Sequence, residues 1–139
     1  MDDLKGQRVL VTGASKGIGK AVAAAFARAG AHVAIHYSAS ETEAKALADT
    51  LKAVGATVFL VRGDLREPGE AARVVNEAVA KLGGLDTLVN NAGAMVRRAP
   101  FAEIDDPLID EVFDLNVRSV VHACQAAVPH LEKAGGGSI

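Results

Sequence analysis

Residues 12–19 read Thr-Gly-Ala-Ser-Lys-Gly-Ile-Gly and follow the apolar run 9–11. Glycine in a helix costs about 1 kcal/mol relative to alanine, so three of them at the start of an alanine-rich helical pattern need a reason. The front of a helix carries unpaired backbone N–H groups and about half a positive charge. With no side chains in the way, those groups can hold a diphosphate. Gly13 suits a tight turn, and Gly17 and Gly19 suit close approach of backbone and ligand. Lys16 adds a mobile cation beside them. The alternative is a helix start that merely tolerates glycine. The spacing is Gly-x-x-x-Gly-x-Gly, which differs from both the common dinucleotide fingerprint and the phosphate loop ending in Gly-Lys-Ser/Thr.

Such a turn works only where a scaffold presents it. Residues 8–12 read as a buried strand, and 17–29 as a helix stopped by Gly30. A second strand spans 32–37. Ser40 to Glu43 has the spacing of a capping box, and the helix it opens carries Ala44, Leu47, Ala48, Leu51 and Val54 on one face. A third strand spans 57–61. Pro68 is placed in the first turn of a third helix, lined by Val74, Val75, Ala78, Val79 and Leu82. A fourth strand spans 86–90. One long helix is expected from about Pro107 to Lys133, with Ser138-Ile139 starting a fifth strand. Strand and helix in alternation mean a parallel sheet with helices on both faces, whose strands read as nearly continuous apolar runs. In such folds ligands bind at the carboxyl edge, where strand turns into helix.

The 139 residues fit one domain, half of them apolar. Net charge is −2, and no basic run exceeds Arg97-Arg98, which argues against nucleic acid or a membrane surface as partner. No apolar stretch is long enough to span a bilayer. The acidic Met1 to Lys5 has no signal-peptide core, and the one cysteine, Cys124, reads as a small buried apolar residue. A cytoplasmic location is expected. The four histidines are scattered, and surface or capping roles are expected for them; no metal site is expected. Glu103, Asp105, Asp106, Asp110 and Glu111 read as acids favouring a helix start. Arg97-Arg98 reads as a solvated loop, with a role in greeting an anionic substrate as the alternative.

The stretch from Thr12 to Gly19 resembles the cofactor motif of the short-chain dehydrogenase/reductase family. Three further stretches match in register: Asp64-Leu65 after the third strand, Asn90-Asn91-Ala92-Gly93 after the fourth, and Asn116 in the long helix. The resemblance covers essentially the whole chain and is nearest to the 3-oxoacyl-carrier-protein reductase and sugar dehydrogenase type. It implies an α/β, Rossmann-type three-layer fold with strand order 3-2-1-4-(5), cut off at the start of the fifth strand. It implies cofactor contacts from Gly13, Ser15, Lys16, Gly17, Ile18 and Gly19. Asp64 and Leu65 would hold adenine, and Asn91, Ala92 and Gly93 would pack against ribose. The Asn116 carbonyl would hold a water in a proton relay. Plain alternatives stand beside these: a capping aspartate, a polar turn, and a satisfied amide between helices.

NAD-binding folds usually carry a carboxylate at the end of the second strand to bind the ribose hydroxyls. Here that place reads His36-Tyr37-Ser38-Ala39-Ser40, and the first acid is Glu41. A ribose 2′-phosphate needs cations and hydroxyl donors, which Lys16, Ser38 and Tyr37 can supply. NADP(H) is therefore expected over NAD(H).

The family's general acid/base tyrosine, the lysine four residues after it, and its serine follow the fifth strand. Tyr37 is the only tyrosine here, with Glu41 four residues on, and it matches neither motif nor position. The 139 residues are therefore expected to have no meaningful turnover by themselves, while the family reaction is hydride transfer between nicotinamide and a carbonyl or alcohol. The uncovered sheet edge is expected to associate with a second copy or with the missing half. The other readings are a non-catalytic dinucleotide-binding module and a piece with no role at this length.

Overall fold

The computed structural model describes residues 4–139; the acidic Met1, Asp2 and Asp3 lie outside the described residues. Strands β1 (Arg8–Val11), β2 (His32–Tyr37), β3 (Val58–Arg62) and β4 (Thr87–Val89) form a parallel sheet in the order β3-β2-β1-β4. Helices α1 (Gly17–Arg28), α2 (Glu41–Ala53) and α3 (Glu70–Leu82) connect them. After β4 come a loop, a 3₁₀ turn (Phe101–Glu103), α4 (Asp106–Phe113), a π turn (Asp114–Arg118) and α5 (Ser119–Lys133). Ser138 then pairs in parallel with Thr87: its N–H donates to the Asp86 carbonyl, and its carbonyl accepts from the Leu88 N–H, each at 3.0 Å. This is the Rossmann-type order expected, with a fifth strand beginning outside β4.

Period two sorts the central strands onto two faces. Val9, Val11, Val33, Ile35 and Tyr37 pack with α1 and α2. Leu10, Ala34, Val61 and Leu88 pack with α3 and α5. Burying a side chain such as Leu10 or Ile35 contributes about 1.5–3 kcal/mol. Ala23, Ala24 and Ala27 let α1 lie close on the sheet, which holds its front end at the sheet's carboxyl edge.

Three local expectations are corrected. Ser40 does stand at the N-cap of α2, but its side chain makes no capping bond, and the Glu43 carboxylate of the expected box pairs with Lys16. Pro68 lies before α3, whose N-cap is Gly69 at φ 80°. The long helix is interrupted at residues 114–118, where the Ser119 N–H donates to the Asp114 carbonyl five residues back. One extra residue turns everything after it by about 100° around the axis. Ala123, Ala127 and Leu131 pack inward, while Val117, Val121 and Val128 are exposed. The acids before α4 behave as expected: Asp105 caps the helix, accepting from the Leu108 N–H at 3.0 Å, and pairs with Arg97.

Candidate functional site

The turns after β1, β3 and β4 and the end of β2 enclose one cleft of about 840 Å³ at the sheet's carboxyl edge. Each wall has a local cause.

The first wall is the glycine turn. Gly13 has φ 62°, and a Cβ there would come within 2.8 Å of the Ala92 backbone. Gly17 has φ 54°, borders the cleft, and a Cβ there would meet nothing within 4 Å. Gly19 differs from expectation: it is buried and does not line the cleft. A Cβ there would collide with the Asn91 amide and the Gly13 carbonyl. Its bareness serves close packing of the protein on itself. The first turn of α1 has neither an acidic residue nor a side-chain cap from Lys16, so its N–H groups are uncapped by side chains. Ser15, Lys16 and Ile18 border the same space. The Lys16 ammonium pairs with Glu43 at 2.9 Å across an exposed gap.

The second wall ends β2. Ser38 is exposed on the cleft. Tyr37 is only 6 % exposed and packs in the apolar cluster beneath α2, yet it also borders the cleft. Alternation along β2 places it on the Val33 and Ile35 face.

The third wall follows β3. Asp64 is gripped by Arg66, whose guanidinium donates to both carboxylate oxygens at 2.6–3.2 Å. That grip, aided by the Arg66 backbone N–H and opposed by partial burial, holds the Asp64 carboxyl below its ordinary range. A carboxylate has about four acceptor sites, so capacity remains for a further donor. Leu65 is buried beside it.

The fourth wall follows β4. The Asn91 amide donates to the Thr12 carbonyl at 2.9 Å and the Gly13 carbonyl at 3.0 Å. The Thr12 hydroxyl accepts from the N–H groups of Asn91 and Ala92, each at 3.0 Å. Thr12 is thus a strut that sequence reasoning did not single out. Asn91, Ala92 and Gly93 all border the cleft. Asn116 sits within the π turn; its amide donates to the carbonyls of Ala94 and Val112 at 2.8 Å, and its oxygen accepts from the Ala94 N–H at 3.2 Å. A Cβ on Gly93 would come within 2.7 Å of that oxygen. Asn116 is not itself a lining residue of the cleft; its bonded partner Ala94 and its neighbour Leu115 are.

His36 was also missed. It is 2 % exposed, and its two ring nitrogens bond to Gly13 and Gly63 at 3.0 Å each, so a surface or capping role is wrong. Its place at the end of β2 was the only signal available.

A family model described as short chain dehydrogenase matches residues 7–139. The chain belongs to that family. A probable galactose dehydrogenase, GalD, of Rhizobium meliloti is 39% identical over 99% of this short-chain dehydrogenase chain and 53% of its own length. A 3-oxoacyl-[acyl-carrier-protein] reductase, FabG, of Staphylococcus aureus is 35% identical over 94% of the chain and 52% of its own. A short chain dehydrogenase from Burkholderia cenocepacia, solved in complex with NADP, has TM-score 0.87 and 39% identity over 91% of the chain and 51% of its own. The NADH-dependent reductase A1-R′, complexed with NAD, has TM-score 0.88 and 38% identity over 96% and 55%. The chain spans about half the length of these relatives. Among its described residues, no helix is long and apolar enough to cross a membrane.

Proposed function

We propose that this chain is the cofactor-binding half of an NADP(H)-dependent short-chain oxidoreductase acting on a carbonyl or alcohol substrate. One observation carries the reading: the glycine turn, the Asp64 turn and the Asn91–Ala92–Gly93 turn border a single cleft. The donor set suits a dinucleotide. Uncapped N–H groups at the front of α1 suit a diphosphate, and the bare flank of Gly17 leaves room for it. The free acceptor capacity of Asp64 suits an adenine amine. When bound, a nicotinamide supplies or accepts the hydride. The chain's own part is to bind, orient and exclude water; Asn116 ties the π turn to the loop above the cleft.

The phosphate preference rests on Lys16 and Ser38 at the cleft and on the lack of a carboxylate at the end of β2. Glu43 holds Lys16 through an exposed pair, and such pairs contribute only about 0.2–1 kcal/mol. A ribose 2′-phosphate, with nearly two charges, outcompetes it. Turnover by residues 1–139 alone is not expected, since Tyr37 is buried and no other tyrosine is present. Fluorescence titration with NADPH and NADH tests the reading. Saturable binding with NADPH the tighter supports it; no binding of either dinucleotide overturns it.

A further inference from the structure

We propose that His36 is a positioning residue for the dinucleotide, its neutral imidazole clamping the glycine turn to the turn after β3 and so setting the span from diphosphate cradle to adenine end. The proposal rests on the cofactor reading above. Its basis is a pair of contacts that demand the same proton placement. The Gly13 N–H donates to Nδ1 at 3.0 Å, and the Nε2–H donates to the Gly63 carbonyl at 3.0 Å. A backbone N–H can only donate and a carbonyl only accept, so both bonds require the tautomer protonated at Nε2. His36 is 2 % exposed although it borders the cleft, so little of it meets water.

The main chain around His36 reinforces the link. The Ala14 N–H donates to the His36 carbonyl at 2.8 Å, and the Gly63 N–H donates to the Tyr37 carbonyl at 3.0 Å. Two adjacent residues of β2 thus hold both turns, and the imidazole is the side chain that bridges them. Gly13 and Gly63 both border the cleft, and Gly63 immediately precedes Asp64. A shift at either turn changes the distance a rigid ligand must span.

A second proton on the ring would set Nδ1–H against the Gly13 N–H, donor facing donor. Burial disfavours that proton most strongly and holds His36 below the ordinary histidine range, while the Gly63 carbonyl opposes this. Of the charges around it, Arg73 on α3 also repels the proton, and Glu70 on α3 and Asp64 after β3 attract it. Lys16 on the glycine turn and Arg66 share the cleft. The sign follows: the clamp is present above about pH 6.5, the unfolded histidine value, and is lost as pH falls through the lower folded value.

The test is NADP⁺ affinity by calorimetry from about pH 8 to about pH 5, on the full chain and on His36→Asn. The 2′-phosphate titrates in both proteins, so the ratio of their affinities isolates His36. At the upper pH the variant should bind about 3- to 10-fold more weakly, for the loss of one clamp contact. Below the folded value the wild type loses the clamp, so its advantage of about 3- to 10-fold over His36→Asn should shrink toward none. Equal affinity of His36→Asn and the wild type at the upper pH overturns the proposal while leaving the cofactor reading intact. Absence of binding at every pH overturns that reading instead. Nitrogen NMR of the His36 ring then judges the clamp by itself: the Nε2–H tautomer with a Gly13 amide shift that titrates along with it supports the clamp. The Nδ1–H tautomer, or a free-histidine titration, overturns it.

Discussion

The side-chain amide of Asn91 occupies the space that a Cβ on Gly19 would need. From there it donates to the carbonyls of Thr12 and Gly13 and locks the end of β4 to the glycine turn. Gly19→Ala should destabilise the fold by about 1–3 kcal/mol, the usual cost of overpacking. Urea denaturation measures it. Asn91→Ala removes one of the two colliding groups, so the double variant should cost less than the sum of the singles. Strict additivity would show that the two positions are uncoupled.

Lys16 and Glu43 set a competition at the mouth of the cleft. Glu43→Gln should raise NADP(H) affinity by about 1.5- to 5-fold, the worth of an exposed ion pair, and leave NAD(H) affinity nearly unchanged. Lys16→Ala should weaken NADP(H) binding far more than NAD(H) binding. Equal losses for the two dinucleotides would remove the case for phosphate recognition at this lysine.

Arg8 and Asp86 staple the start of β1 to the start of β4. The guanidinium donates to both carboxylate oxygens at 2.7–2.8 Å, and the Arg8 backbone N–H adds a third bond at 2.8 Å. The side-chain bonds from Arg8 are the main reason the Asp86 carboxyl lies below its ordinary range, with partial burial opposing. The staple's contribution is present above about pH 3.9, the unfolded aspartate value, and is lost as pH falls through the lower folded value. Asp86→Asn should lower stability near neutrality by about 1–2 kcal/mol and flatten the acid limb of the stability profile. Denaturant midpoints measured across that limb provide the check.

Asn116 both donates to and accepts from the backbone of Ala94. Asn116→Asp keeps the acceptor and loses the donor, setting a carboxylate against the Ala94 and Val112 carbonyls. It should cost about 0.5–1.5 kcal/mol, since the lost bonds are exposed to water. Hydrogen exchange should show the Ala94 amide opening faster. An unchanged rate would mean that this amide is held by the loop itself.

The elements were legible because their signals are local. Apolar runs and the glycines that stop each helix lie within a few residues of what they govern, and four parallel strands follow from that alternation, while their order followed from the family resemblance. The glycine turn was legible for the same reason, and Asp64 and the Asn91 turn through the family resemblance; all three border the cleft. The interruption at residues 114–118 was not, since one extra residue leaves the apolar pattern on either side intact.

What the sequence by itself determined is the alternation of strand and helix and the bare helix front at the sheet's edge, both written in spacings of a few residues. What only the tertiary structure decided is the use of each polar group: Glu43 on Lys16 in place of Ser40's helix, Tyr37 in the core, Asn91 beneath Gly19, and His36 between two turns. Those partners lie far apart along the chain. A hydrogen bond is chosen by which donor and acceptor the packed sheet brings within about 3 Å, and no local pattern encodes that distance.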